Sequence, residues 1–446
     1  MRKTTKLMQN DECRMRNDNR NFAGKRVTVL GLGHFGGGSA VARWLVEQGA
    51  RVRVSDQSSK EKLADSVALL ADLPIEFRLG ADQSLHDVTE ADLVVASPAI
   101  PPHSPYLLAA NSGGIPVTTE ICLFVQRCPA KTIGVTGTKG KSTTSTLLNL
   151  MLSASRKTWF GGNIGRSLLA DLPNIHRDDL VLLELSSFML DHLGRIGLSP
   201  NVAVVTMISS DHLDWHGSQQ NYIAAKANIV RHQKPGDFAV LNPRDETAMS
   251  FAKLTPATVV PVDTHARFDL KLAGEHNQLN AQTAFTAAGL FGIDRPTAQK
   301  AIADFTGLSH RLELVHESHG IRFINDSIST IPDAAIAALR SFPAGKVIQI
   351  VGGSDKKHLP IDAMCAALAE QAKAILCIGE TADAIARLLP NDRAHVCQTL
   401  EAAVTQANSL ATPGDIVLLS PGHPSYDQFT NFESRGAAFA RLCRDG

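Results

Sequence analysis

The sequence predicts an α/β protein with mostly parallel sheets, divided into three domains. Three observations carry that expectation. Short apolar strand candidates alternate with helical patterns from Val27 almost to the end of the chain, as in strand–helix–strand units. Two glycine-rich turns, one beginning at Gly31 and one at Gly137, each join such a strand to a helix. A chain of 446 residues is also too long for one core, so roughly two to four domains are expected.

Composition removes several function classes. The 44 Lys and Arg balance 44 Asp and Glu, so no nucleic acid or membrane surface is expected as a partner. No apolar run approaches the ~18 residues needed to cross a bilayer. Residues 1–22 are polar and mixed in charge, without the apolar centre of a signal peptide, and read as a disordered tail. The seven cysteines contain no C-x-x-C pair, which suits reduced thiols in a cytoplasmic protein.

The first domain is expected over residues 23–104. Val27–Leu30 is a strand, followed by Gly31-Leu-Gly33-His-Phe-Gly36 and a helical pattern through Ala42, Leu45 and Val46. Val52–Val54 is the next strand and ends at Asp56. Glycine turn, helix and a later acid together form the fingerprint of a Rossmann-like nucleotide domain, with the acid placed for a ribose. Taken alone, this fingerprint proposes NAD. Leu93–Ala96 is a further strand, broken by Ser97-Pro98, and a linker is placed near residue 104.

The second domain is expected over 105–309. Ile133-Gly-Val-Thr-Gly-Thr-Lys-Gly-Lys-Ser-Thr-Thr144 runs from strand to glycine loop to helix start. Unpaired N–H groups and the helix dipole make such a start a cradle for phosphates. Gly137, Thr138, Lys139, Gly140, Lys141, Ser142 and Thr143 are therefore candidate ATP contacts, with Ser142 placed for Mg²⁺. Five residues rather than four separate Gly134 from Gly140, a departure from the usual P-loop spacing. Leu180–Glu184 is a buried strand ending in an acid, the usual position of a Mg²⁺ ligand. Asp211, His212, Asp214 and His216 form a cluster without H-E-x-x-H or thiols. A hard-cation site fed by phosphate oxygens suits it better than zinc. Lys226 shares a helical stripe with Ile223, Ala227 and Val230. Such a lysine is either buried, which favours the neutral amine, or snorkels to the surface. Asn277 and Asn280 lie three apart on one helix face, as purine-reading amides or as helix caps.

The third domain is expected over 310–446. Strands at Ile321–Ile324, Val347–Val351, Ala374–Ile378 and Asp415–Leu419 alternate with helices, giving a second Rossmann-like sheet.

TGTKGKST, GGNIG, LELSS, DHLDWHG, the AAK helix, GEHN, TGLSHRLE, NDS and LLSP occur in this order. Together they resemble the Mur ligase family, over nearly all the chain from about residue 24. The D-S-x-x-T run after the third domain's first strand is similar to the glutamate-adding branch. The resemblance implies ATP-dependent ligation of D-glutamate to UDP-N-acetylmuramoyl-L-alanine through an acyl phosphate. It implies that Gly31, Gly33, Asp56, Ser97 and Pro98 hold UDP, and that Asn163 reaches the UDP-sugar. Lys141, Glu184, His212 and Lys226 would be catalytic. Ser142, Glu184 and His212 would bind Mg²⁺, and Lys226, as a carbamate formed with CO₂, would hold a second ion. Asn277 and Asn280 would face adenine, Arg311 and Asp326 would contact ATP, and Thr330, Lys356, Ser425 and Phe432 would surround glutamate. A monomer is expected. Ile328 stands where the branch often has lysine, and S-P-G-H-P-S replaces a commoner S-P-A-C-A-S, both in the amino-acid pocket. Other readings are ligation of L-glutamate, an NAD-dependent dehydrogenase and a nucleotide switch without ligation. The second glycine loop speaks against the dehydrogenase.

Overall fold

The computed structural model describes residues 21–33, 36–164, 166–272, 274–355 and 359–445. The first 20 residues of the expected tail and Lys356 lie outside them. Three sheets form, one for each expected α/β region. They fall into two compact units, up to Asp304 and from Phe305.

The first sheet has five strands: β1 Arg26–Leu30, β2 Arg51–Asp56, β3 Glu76–Leu79, β4 Leu93–Ala96 and β5 Val117–Thr118. Their order is β3-β2-β1-β4-β5 and every pair is parallel. The sheet runs past the linker expected near residue 104. Pro105 opens the helix Pro105–Ser112, with Ser104 at its N-cap position, and β5 follows. Proline at the first helical position needs no N–H there, so Ser-Pro starts a helix here instead of a linker.

The second sheet has six parallel strands: β6 Lys131–Thr136, β7 Thr158–Gly162, β8 Leu180–Glu184, β9 Val202–Val205, β10 Phe238–Leu241 and β11 Thr258–Pro261. The order is β11-β10-β9-β6-β8-β7. Both faces are covered, and all residues of β8 and β9 are buried, which explains their unbroken apolar runs. The chain leaves β6 towards β8 and later returns to its other side as β9, so β6 lies at the switch point of the sheet. Ligands of open α/β sheets gather beyond the carboxyl ends at such a point. One apolar core joins both sheets of this unit, from Val29 and Leu45 to Val181 and Val205.

The third sheet, in the other unit, has order β12-β13-β17-β14-β15-β16. Its strands are β12 Glu313–Ser318, β13 Ile321–Asn325, β14 Val347–Gly352, β15 Ala374–Ile378, β16 Ala394–Gln398 and β17 Ile416–Leu419. All pair in parallel except β12, which forms a hairpin with β13. Its two-residue turn, His319-Gly320, has both φ angles positive, at 50° and 74°, the backbone that suits a right-twisted hairpin. β12 alternates too weakly, as Glu-Leu-Val-His-Glu-Ser, for its sequence to reveal it.

Candidate active site

The glycine loop after β6 leads into helix α1, Lys141–Ser153, which buries Leu147, Leu148, Met151 and Leu152 on one stripe. That burial fixes where the helix N-terminus points. Gly140 precedes the helix at φ 83°, and a Cβ there would lie 2.5 Å from Asn280 Oδ1. A Cβ on Gly137 would collide with the Thr206 hydroxyl. Both glycines are thus required by close approach as well as by backbone angle. Thr138 is buried, and its hydroxyl lies 2.9 Å from Tyr222 OH and accepts from Ser209 N at 2.8 Å. Lys139 is exposed, and its carbonyl accepts from Thr206 Oγ1 at 2.7 Å. Ser142 and Thr143 are half-buried in the first turn of α1.

Lys141 Nζ folds over the loop and donates to the carbonyls of Gly137, at 2.9 Å, and Thr138, at 3.0 Å. Lys226 approaches the same loop from helix α2, Gln219–Arg231. Its side chain is only 2% exposed, which decides for burial over snorkelling. Nζ donates to Gly137 O at 2.8 Å and Thr136 Oγ1 at 3.4 Å, and lies 4.8 Å from the Tyr222 ring centre. Burial holds the Lys226 amine well below the usual lysine range, and the charge of Lys141 adds to the effect.

Glu184 ends β8 beside β6, paired in register with Val135. It is 1% exposed; Oε1 accepts from Asn163 Nδ2 at 2.9 Å, while Oε2 is buried without a hydrogen-bond partner among the described residues. A buried carboxylate oxygen left unpaired is costly, and a hard cation would satisfy it. Among the described residues no three His, Cys, Asp or Glu side chains converge as a metal site. A cation at Glu184 therefore needs hydroxyl or phosphate oxygens to complete its shell. His212 is half-exposed at φ 51° and its ring packs on Phe188, centroids 4.8 Å apart. Asn280 is buried on helix α3, Glu275–Gly289; its Oδ1 accepts from Thr144 Oγ1 at 3.3 Å and its Nδ2 lies 3.4 Å from Asn277 Oδ1. It braces the phosphate loop, a contact the three-residue spacing from Asn277 did not reveal.

The first glycine loop differs. Gly31 and Gly33 have φ 85° and 63°, and a Cβ on Gly31 would lie 3.0 Å from Ser97 Cβ. Asp56 turns back onto this loop: Oδ2 accepts from Leu32 N at 2.8 Å and Gly33 N at 3.2 Å, and Oδ1 from Ser58 N at 2.8 Å. A dinucleotide's pyrophosphate placed on those N–H groups would meet the carboxylate. Ser97 and Pro98 are half-buried directly after β4, and Ser97 N donates to Leu30 O at 2.8 Å. Trp215 Nε1 donates to Ala99 O at 3.2 Å, so the histidine-bearing segment touches this loop.

In the other unit, Asp326 is 3% exposed and follows β13. It accepts from Ser329 Oγ at 2.5 Å, Ser420 Oγ at 2.7 Å and Leu312 N at 3.1 Å. Burial still raises its carboxyl above the usual range. Arg311, the residue before Leu312, is exposed. Thr330 and Phe432 are half-buried and Ser425 is buried. The three loops after β13, β14 and β17 are tied together: Gly422 N donates to Ser329 O at 2.9 Å, Gly352 N to Pro421 O at 2.8 Å, and Ser354 N to Pro424 O at 2.9 Å. Beneath them lies Arg435, 1% exposed, on helix α4, Phe432–Asp445. It was not expected, because an arginine on an amphipathic closing helix reads as a surface residue.

Family models match three stretches: Mur ligase MurD-like, N-terminal domain, over residues 25–119; Mur ligase middle domain, over 135–266; and Mur ligase, glutamate ligase domain, over 310–423. The chain is 41% identical to UDP-N-acetylmuramoylalanine--D-glutamate ligase of Roseiflexus sp., covering 94% of this chain and 98% of that one. It is 37% identical to the protein of the same name from Symbiobacterium thermophilum, over 94% of this chain and 97% of that one. Among solved structures, MurF from Acinetobacter baumannii has the same fold, with TM-score 0.57, 16% identity and 98% coverage of both chains. Phosphate loop, buried acid and three sheets thus agree with the full-length similarity, and the chain belongs to the Mur ligase family.

Proposed function

We propose that the chain joins D-glutamate to UDP-N-acetylmuramoyl-L-alanine at the expense of ATP, in the cytoplasm and as a monomer. The observation that carries the phosphoryl chemistry is the buried Glu184, with one oxygen unpaired, at the carboxyl edge beside the loop of Lys141. The names of the relatives supply the substrates. In this reading the substrate's alanyl carboxylate attacks the γ-phosphorus of ATP, giving an acyl phosphate and ADP. The amine of glutamate then displaces phosphate and loses a proton, forming the amide. Lys141 and the N–H groups at the start of α1 hold phosphate oxygens as negative charge shifts between them.

Ser142, Glu184, His212 and Lys226 are the residues that would hold two Mg²⁺ ions. Bound there, Mg²⁺ would neutralise charge on the transferring phosphoryl group. Lys226 fits that set only as an anion. Its depressed basicity favours the free amine, which adds to CO₂ with loss of one proton to give a carbamate. That change would replace a neutral amine facing Lys141 with an anionic carbamate. Asn277, Asn280, Arg311 and Asp326 are assigned to ATP in the same reading. The first sheet takes UDP through Gly31, Gly33, Asp56, Ser97 and Pro98, with Asn163 reaching the sugar. Thr330, Ser425 and Phe432 take glutamate, and Lys356 belongs to the same assignment. Division of the chain at 23–104, 105–309 and 310–446 needs its first boundary moved beyond β5.

The test is a phosphate-release assay with UDP-N-acetylmuramoyl-L-alanine, ATP, Mg²⁺ and each glutamate enantiomer. Turnover with the D-enantiomer alone is expected; turnover with only L-glutamate, or with none, overturns the assignment.

A further inference from the structure

A buried guanidinium with no anion beside it calls for a reason, since burial of an unpaired charge is costly. Arg435 is such a group. Nε donates to Ser327 Oγ at 3.0 Å, one Nη to Ser327 O at 3.0 Å, and the other to His423 O at 3.0 Å. Ser327 Oγ in turn donates to Phe432 O at 2.8 Å. Among the described residues no carboxylate forms an ion pair with Arg435. Burial lowers its pKa to about 10, and the charge of Asp427 offsets this only in part. A Cβ on Gly353 would lie 3.3 Å from the guanidinium, so the loop after β14 packs on it as well. Arg435 therefore sits under the carboxyl ends of β13, β17 and β14, where three loops meet.

We propose that Arg435 is the positioning residue of the amino-acid pocket. Its fork fixes the loops that carry Thr330 and Ser425, and its charge makes that pocket select an acidic amino acid. The proposal rests on the assignment of glutamate to these loops. Two features distinguish it from simple packing. First, its three acceptors lie in the loop after β13 and the loop after β17 and in no other element, so the fork sets the spacing of the two candidate walls. Second, a cation inside a low-dielectric interior acts on a neighbouring carboxylate more strongly than a surface charge does. With Ile328 in place of the lysine common in the branch, a fixed charge beneath the loops supplies what the rim lacks.

The experiment is steady-state kinetics of the full chain with each of its three substrates, and with glutamine as a neutral alternative to glutamate. Wild type, Arg435→Lys, Arg435→Met and Ser327→Ala are compared. Arg435→Met is expected to raise the glutamate KM about 20-fold or more, and to cut the preference for glutamate over glutamine about tenfold. The KM for the UDP-sugar, bound in the other unit, is expected to stay within about twofold. Arg435→Lys keeps the charge but not the fork. It is expected to retain the preference within about threefold while raising the glutamate KM. Should Arg435→Met fail to fold, the lysine variant and Ser327→Ala carry the test. Ser327→Ala removes one acceptor and is expected to raise the glutamate KM a few-fold with the preference intact. An unchanged glutamate KM and preference in Arg435→Met overturns the proposal, as does a uniform loss in all three substrates with a lowered melting temperature. If the methionine variant is lost, a lysine variant with the preference gone overturns it. Wild type inactive with glutamate would instead overturn the assigned reaction, which keeps the two failures apart.

Discussion

After β1 and after β6 the backbone makes the same manoeuvre: strand, glycines at positive φ, helix start. The side chains that arrive there from elsewhere are opposite in charge. Asp56, at the end of β2, covers the N–H groups of Leu32 and Gly33. At the second loop, Lys141 and Lys226 both reach the carbonyl of Gly137, and Glu184 stands alongside with a free oxygen. Glycine spacing thus fixes the path of the chain, and side chains from neighbouring strands and helices decide what the loop can hold. A loop already capped by a carboxylate suits the neutral hydrogen-bonding parts of a nucleotide. A loop faced by two amines suits its polyphosphate. This is a physical ground for rejecting the dehydrogenase reading, which treated the first loop as a pyrophosphate cradle.

The largest effect should separate the two loops outright. Lys141→Ala is expected to lower ATP-dependent phosphate release roughly 10³-fold, the scale for losing a positioned charge at a transferring phosphoryl group. Calorimetry should find UDP-sugar binding within about twofold of wild type, because the two loops follow strands of different sheets. Lost UDP-sugar binding would mean that the loops do not hold different parts of the reaction.

Lys226 should give the next largest effect, with an opposite sign for stability. Lys226→Met is expected to lower turnover about 100-fold, as loss of a metal-holding group does. In CO₂-free buffer it should not lower the melting temperature. The sign follows from linkage. The folded-state pKa of Lys226 is lowered, so the unfolded chain binds more protons between the two pKa values, and stability rises with pH there. Below the folded pKa the amine is charged in both states and its burial cost is present in full; above the unfolded pKa that cost is gone. Denaturant unfolding of wild type should therefore become harder as pH rises through that window, and the methionine variant should lack this component. Turnover in wild type should also fall on removal of CO₂ and return with bicarbonate. Activity indifferent to CO₂ would remove the carbamate from the reading.

Asp56 provides the matching test in the first loop. Asp56→Asn keeps an acceptor but removes the charge that caps Leu32 N and Gly33 N. An increase of about tenfold in the UDP-sugar KM is expected, with the ATP KM unmoved. An ATP KM that moved instead would exchange the roles of the two loops.

These cases also mark how far the sequence could be read. β8 and the loop of Lys141 were legible because an unbroken apolar strand and a glycine-to-helix transition are local signals. Lys226 was not settled, because a lysine on an apolar stripe can bury its amine or reach water, and only its neighbours Thr136 and Tyr222 decide. Asp56 was found by spacing, but its contact with the loop's own N–H groups depends on the pairing of β1 with β2. Asn280 was found as an amide on a helix face, while its contact with Gly140 comes from packing across 140 residues of chain. Arg435 gave no signal, since nothing local distinguishes a buried arginine on an amphipathic helix from an exposed one. The linker near residue 104 was misplaced because Ser-Pro marks helix starts as well as loops.

The smallest effect concerns Ile328, at the rim of the loops that Arg435 supports. Ile328 is 39% exposed and its N–H donates to His310 O at 3.1 Å, a backbone bond that any residue keeps. A lysine there would displace little apolar packing, so stability should change by no more than about 0.5 kcal/mol. Its ammonium would be solvated, and an exposed charge pair contributes about 1 kcal/mol or less. Ile328→Lys is therefore expected to lower the glutamate KM by only about two- to fivefold, and less at high salt, because solvent ions screen a rim charge. The buried cation of Arg435 should be insensitive to salt by the same reasoning, so the two variants measured at low and high ionic strength divide the pocket into rim and floor. A gain in Ile328→Lys as large as the loss in Arg435→Met, or one that persists undiminished in high salt, would place the substrate carboxylate at the rim and leave the buried arginine a purely structural role.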